Sequence, residues 1–242
     1  MGKTTTAVNL SASLAASGKK VLLIDSDPQA NTSSSYGVRG SNEIPTFYDV
    51  LLGKVSVKDS AISSPPHGLF LVPSTPDLVA AEVELLKIES RESVLRKILT
   101  RDCDSYNYII IDCPPSLGIL TINALTAADT VIIPLQCEYF ALEGLSQLLY
   151  TIRIIKAKFN PGLLIEGILL TMFDRRNKLS FSVAKDVKKH FAKKVFRTII
   201  PRNVRLSESP SHGKPVLLYD QKCPGALAYL KLAKELIARE EK

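Results

Sequence analysis

The sequence predicts an α/β protein with a doubly wound, mostly parallel sheet. Three observations carry that expectation. Aliphatic runs of strand length recur along the chain and most are continuous rather than alternating, as in parallel strands covered on both faces. Stretches with helical spacing separate these runs, which makes βαβ units. Two of the runs end in acidic residues, at the sheet edge where open α/β folds bind ligands.

Taken in order, the chain opens on Gly2-Lys3-Thr4-Thr5, the last part of a phosphate-binding loop G-x-x-x-x-G-K-[ST]. A helix is expected over residues 4–16, with Val8, Leu10, Leu14 and Ala15 as its apolar positions. Strands are expected over 20–25 (KVLLID), 69–72, 108–112 (YIIID), 130–135 (TVIIPL), 165–171 (IEGILLT) and 195–200 (VFRTII). Further helices are expected over 76–99, 142–158, 181–194 and 225–240. No repeat, low-complexity linker or break in composition divides the 242 residues, so one domain over 1–242 is expected.

Composition narrows the class. Apolar residues make up 45% and charged residues 23%, which excludes an intrinsically disordered chain. There is no Trp, so the core must be aliphatic. The four cysteines (Cys103, Cys113, Cys137, Cys223) form no CxxC pair, against a zinc ribbon, an iron–sulfur site or a disulfide scaffold. His67, His190 and His212 have no mutual metal-binding spacing. No apolar run reaches the length of a membrane span and the N-terminus reads as no signal peptide. A cytoplasmic location is expected.

Three short motifs carry chemistry. In Gly2-Lys3-Thr4, Lys3 would neutralise phosphate oxygens and the Thr4 hydroxyl would ligate Mg²⁺, with the helix N-terminus aimed at the same anion. Asp25-Ser26-Asp27-Pro28 puts two acids at the end of a buried strand, and Ile109-Ile110-Ile111-Asp112 puts one at the end of another, as a Walker B motif requires. Singly, each has a plain alternative: a chance GKT triplet, a turn aspartate, a helix cap. Together, in this order and at one edge of the sheet, they identify a P-loop NTPase.

Longer segments then become specific. GKTTTAVNL, VLLIDSDPQAN, YIIIDCPPSLGILTINAL, IIPLQCEYFALEGLSQLL, ILLTMFDRRN and IIPRNVRLSESPSHGKPVLLYD resemble the ParA/Soj chromosome-partitioning ATPases. These belong to the deviant Walker-A class, together with MinD and the nitrogenase iron protein. The resemblance runs from Gly2 nearly to the C-terminus. It implies ATP and Mg²⁺ as cofactors, with Gly2, Lys3, Thr4 and Thr5 in the phosphate loop. It implies that Asp27 positions the hydrolytic water, that Asp25 is its strand-end partner, and that Asp112 holds the metal through water; Thr4, Asp27 and Asp112 form the metal set. Residues 171–174, including Met172, and 201–203, including Pro201 and Asn203, match loops that frame the adenine. Arg176 and Arg205 match basic residues that carry non-specific DNA binding, although surface ion pairing would equally explain them, and Met172-Phe173 could be plain core. The implied partners are a second copy in an ATP-sandwich dimer, non-specific DNA and a ParB-type centromere-binding protein. The implied location is the nucleoid.

The chain departs from the family at its start. The family loop reads K-G-G-V-G-K-T-T-T, whereas Met1 stands here where the family has valine. A preceding strand and the signature lysine are therefore expected upstream, either hidden by a GTG codon taken as a start or lost in a shortened chain. In the second case the dimer should fail, leaving a non-hydrolysing protein that binds DNA or a partner.

Charge is unevenly spread. Residues 150–215 hold 15 Lys/Arg against 4 Asp/Glu, and the other 176 residues hold 16 against 20. A local excess of +11 on a body of −4 suggests a polyanion-facing surface, or else a solvated helix face. Lys185, Lys189 and Lys193 recur every four residues, while Phe181, Val183, Val187 and Phe191 are expected to face the core. Nothing resembles a recognition helix, so contact with phosphates rather than bases is expected. The C-terminal helix carries Leu230, Ala233, Leu236 and Ile237 on one face and ends in Glu240-Glu241. Packing, rather than MinD-like membrane targeting, is expected of it.

Overall fold

A computed structural model describes residues 2–38 and 44–240; Met1, Glu241 and the Lys193 side chain, all used above, lie outside the described residues. The first half runs α1 (Lys3–Ala16), β1 (Val21–Asp25), α2 (Asn31–Ser35), α3 (Phe47–Leu51), α4 (Val57–Ser60), β2 (Ile62–Ser64), β3 (Leu69–Val72), α5 (Leu78–Leu85), α6 (Val94–Asp102) and β4 (Tyr108–Asp112). The second half adds α7 (Ile119–Ala127), β5 (Thr130–Gln136), α8 (Ala141–Lys158), β6 (Leu164–Thr171), α9 (Lys178–Phe191), α10 (Val204–Glu208), α11 (Val216–Tyr219) and α12 (Pro224–Glu240).

Strand order is β2-β3-β1-β4 in one sheet, parallel except for β2, and β5-β6 form a second, parallel pair. The continuous run VLLI has a simple physical basis. Val21 and Leu23 point into a core with α1 and α12, while Leu22 and Ile24 point into another with α3, α5 and α6. All four are 0–1% exposed, each worth on the order of 1.5–3 kcal/mol of burial. The core under α1 also takes in Ile132 of β5 and Leu169 of β6, so one helix covers both sheets.

Helix α1 is less one-sided than its spacing implied. Every residue from Thr6 to Ala15 is buried, Ser11 and Ser13 included. The C-terminal helix packs as expected: Ala233 and Leu236 are buried, alongside Tyr229 and Leu232, against α1.

Three expectations need correction. The helix expected over 76–99 is two helices, α5 and α6, broken at Ser90 in the left-handed region (φ 55). The Asn123 side chain of α7 seals the break, accepting from Leu95 N–H and donating to the Arg91 carbonyl. The strand expected over 195–200 is reduced to an isolated bridge, Val195 with Ile168, and two backbone bonds to β6, from Phe196 N–H to the Ile168 carbonyl and from Ile200 N–H to the Leu170 carbonyl. Its two middle amides, Arg197 and Thr198, donate to the Glu235 carboxylate of α12 instead of to β6. Phe181 is 53% exposed rather than core-facing; Ser180, Val183, Ala184 and Val187 make the buried face of α9. Helix α7 had no sequence expectation, because ILTINALTA is apolar nearly all round and shows no amphipathic stripe.

Candidate nucleotide site

The site forms where β1, β4 and β6 end and α1 begins. Gly2 caps α1 from the left-handed region (φ 76), and a Cβ there would lie 3.3 Å from Thr171 Oγ1. Both facts call for glycine. No side chain caps α1, so its first N–H groups remain aimed outward with the positive end of the helix dipole. Lys3, the first residue of α1, donates from Nζ to the Pro114 carbonyl just past β4 at 2.9 Å. Thr4 and Thr5 follow on the first turn.

Asp25 and Asp112 are direct register partners at the ends of β1 and β4. Asp25 is 0%, Asp27 6% and Asp112 2% exposed. Burial pushes the Asp25 carboxyl up to about 7; hydrogen bonds from Ser33 oppose the rise, and the nearby Asp112 charge adds to it. Asp112 is likewise raised by burial, against hydrogen bonds from the Thr32 and Thr4 hydroxyls. A buried cluster of carboxylates of this kind is short of positive charge, which a cation supplies. Asp27 accepts from Gln29 N–H at 2.9 Å, which shapes the turn through Pro28.

The two stretches that the resemblance linked to adenine are adjacent. Phe173 bridges Pro201, Phe173 N–H donates to the Ile200 carbonyl, and Arg202 N–H donates to the Phe173 carbonyl. Met172 has φ 50, a strained setting for a side chain of its size, and Gln136 Nε2 lies 2.6 Å from its sulfur. Thr171 Oγ1 and Asn203 Oδ1 are buried without a hydrogen-bond partner. Buried polar atoms are normally paired, so the Thr171 hydroxyl fits a polar ligand beside Gly2, while the Asn203 oxygen lies toward Gly225 of α12. The donor set for a metal consists of oxygen atoms only. No group of three His, Cys, Asp or Glu side chains suited to a metal exists among the described residues. The all-oxygen donor set suits Mg²⁺, which takes one or two carboxylates and completes its shell with phosphate and water.

Sequence reasoning missed Thr32, Ser33 and Gln136, while Thr171 lay inside the 171–174 stretch already singled out. The hydroxyl-rich run Asn31-Thr32-Ser33-Ser34-Ser35, directly after the acids, was a visible signal; Gln136 had none.

The basic residues are only partly brought together. Arg175, Lys185 and Lys188 line a hollow of about 590 Å³ with Phe173, Phe181, Ala184 and Ile199. Lys185 and Lys189 are exposed on α9. Arg176 is 88% exposed and paired with Asp174 at 2.9 Å, which holds that carboxyl down to about 2. Arg205 belongs to a different cluster, bonded to Glu208 at 2.8 Å, near Asp220 at 3.4 Å and over the Tyr219 ring.

Comparison with known proteins agrees with this geometry. The family described as "AAA domain" matches residues 1–165. The chain is 54% identical to the chromosome partitioning protein ParA of Caulobacter vibrioides, covering 99% of this chain and 91% of that one. It is 53% identical to the sporulation initiation inhibitor protein Soj of Bacillus subtilis, over 98% and 94% of the two chains. Among solved structures, cobyrinic acid a,c-diamide synthase from Mycobacterium smegmatis with bound ADP and magnesium is 35% identical with a TM-score of 0.86, covering 100% of this chain and 91% of that chain. The cell division ATPase MinD of Pyrococcus furiosus is 26% identical with a TM-score of 0.80, over 98% and 94%. The fold is thus that of the ParA/MinD P-loop NTPases. With its GKT turn, its paired strand-end acids and its end-to-end likeness to these proteins, the chain belongs to the ParA/Soj family of chromosome-partitioning ATPases.

Proposed function

We propose that this protein is a DNA-partitioning ATPase that binds Mg·ATP at the N-terminus of α1, dimerises around it, and then holds DNA without reading its sequence. One observation carries the reading: an uncapped helix N-terminus that begins with Lys3, whose Nζ reaches the Pro114 carbonyl past β4, lies at the same edge as three buried carboxylates, Asp25, Asp27 and Asp112. We also read the described residues as one domain, since the core beneath α1 draws on both sheets.

In this reading the N–H groups of Lys3, Thr4 and Thr5 and the Lys3 ammonium hold phosphate oxygens. Thr4, Asp112 and Asp27 hold Mg²⁺, directly or through water. When bound, the ion neutralises charge that develops on the phosphoryl oxygens. Asp27 accepts hydrogen bonds from the attacking water and orients it. The orphan Asn203 Oδ1 accepts from the base, and residues 171–174 and 201–203 frame it. Hydrolysis then releases the dimer from DNA, and a ParB-type partner accelerates it.

For the polyanion, DNA fits better than a membrane. The apolar face of α12 is already packed against α1, while Arg175, Lys185, Lys188 and Lys189 are exposed on and beside α9. No helix among the described residues is long and apolar enough to cross a membrane.

The test is ATP turnover by the protein with and without duplex DNA and a ParB-type protein, with Lys3→Ala as control. Turnover that rises with both additions and disappears in the control is expected. A protein that binds DNA equally with ATP, ADP or neither, and never turns over, overturns the reading in favour of a non-hydrolysing binder.

A further inference from the structure

Helix α2 is only five residues long, yet two of its consecutive hydroxyls are 0% and 1% exposed and reach different strands. Thr32 Oγ1 donates to Asp112 Oδ2 at 2.8 Å. Ser33 donates twice to Asp25 Oδ2, from its backbone N at 2.8 Å and from Oγ at 2.7 Å. The same Ser33 Oγ accepts from Ser74 N–H at 2.9 Å, just past the end of β3. Ser35, on the last turn, bonds locally, donating to the Asn31 carbonyl. Thr32 and Ser33, on the first turn and with no helical carbonyl four residues before them, reach the two register-paired acids.

The chain between these grips is the segment that carries Asp27. It leaves β1 at Asp25, whose Oδ1 accepts from Asp27 N–H at 3.2 Å, and returns to the same carboxylate at Ser33. Within it Ala30 has φ 51, a setting that costs a non-glycine residue about 1 kcal/mol or more. The loop is therefore closed at both ends on one acid, and the hydroxyl beside its far anchor is tied to the other.

Resting on the Mg·ATP reading above, we infer that Thr32 is a positioning residue for Asp112: its hydroxyl sets the orientation of the carboxylate assigned to the metal and links that orientation to the position of the Asp27 loop. A threonine suits the task because branching at Cβ restricts χ1 and so limits where the donor oxygen sits. Through Thr32, Asp112 is held from α2. Any displacement of the 26–33 loop then moves a group bonded to Asp112, so water positioning and metal holding change together.

The test compares Thr32→Val, which keeps shape and removes the donor, with Thr32→Ser, which keeps the donor and removes the methyl. A fluorescent ATP analogue is titrated with Mg²⁺ present and with EDTA, and kcat and KM for ATP and the unfolding temperature without nucleotide are measured alongside. Thr32→Val is expected to need about 10–100-fold more Mg²⁺ for half-maximal enhancement of binding, the usual effect of losing a group that orients a metal-holding side chain. Its kcat falls, its affinity in EDTA is unchanged, and Thr32→Ser stays near wild type. A Val variant with wild-type Mg²⁺ dependence, or a Ser variant as impaired as Val, overturns the inference and makes Thr32 a packing residue. Should Thr32→Val not fold, Thr32→Ala supplies the donor-free comparison with the same expected and overturning outcomes. Failure of the Mg·ATP reading itself is separable, because it appears in the unmutated protein as nucleotide binding indifferent to Mg²⁺, and it overturns both.

Discussion

Asp25 and Asp112 stand directly opposite each other at the ends of two hydrogen-bonded parallel strands, both out of contact with solvent. Besides burial, the Asp112 charge raises the proton affinity of Asp25 and the Asp27 charge that of Asp112, so the cluster is electrostatically unfavourable until a cation arrives. Asp112→Asn separates the two consequences. With Mg·ATP, turnover should fall by about 100-fold or more, as when a group stabilising transition-state charge is removed. Without nucleotide the Asp25 carboxyl should titrate below its present value of about 7, because its charged neighbour is gone. Carboxyl NMR through a pH titration reads this shift directly.

Gly213 and Gly37 meet back to back. A Cβ on Gly213 would lie 2.9 Å from Gly37 Cα, and Gly213 itself has φ 61. Gly213→Ala must therefore move backbone in a left-handed turn, which joins two separate penalties. A loss of about 2 kcal/mol or more is expected in chemical denaturation. The denaturant slope should be unchanged.

Glu235 replaces a strand partner for residues 197 and 198. Burial works against its charge, but the N–H groups of Arg197 and Thr198 and the Arg239 side chain outweigh it and lower its pKa from 4.5. A lowered folded-state pKa contributes stability above the ordinary value, lost as pH falls through the folded value. Glu235→Gln should cost about 1–2 kcal/mol at neutral pH. The difference from wild type should shrink below about pH 4 as the wild-type carboxyl protonates. Urea melts at several pH values measure both.

Arg205 is already bound to Glu208, with Asp220 close by. If it contacts DNA phosphate it must exchange these partners for phosphate oxygens. Arg205→Ala should weaken ATP-dependent DNA retention at every sequence alike and reduce the salt slope by about one. ATP binding should stay intact. Unchanged retention would leave Arg205 as a surface ion-pair residue.

Much of this was readable along the chain. Parallel strands buried on both faces need uninterrupted aliphatic runs, so β1 and β4 announced themselves, and the acids that end them marked the ligand edge. The GKT turn at Gly2 was equally local, because positive φ and an uncapped helix start require glycine there. Tertiary structure decided the rest. Residues 195–200 look like a strand and keep two bonds to β6, from Phe196 and Ile200 N–H, but Glu235 on a distant helix takes the Arg197 and Thr198 amides between them and interrupts the ladder. Phe181 has core-like periodicity, yet it packs edge-on against Phe173 on an exposed face. Thr32 and Ser33 read as an ordinary polar stretch. Only the return of the chain beside β1 and β4 gives them two carboxylates to hold. Local sequence determines which backbone a segment favours, whereas a side chain's hydrogen-bond partner depends on where the rest of the chain places it.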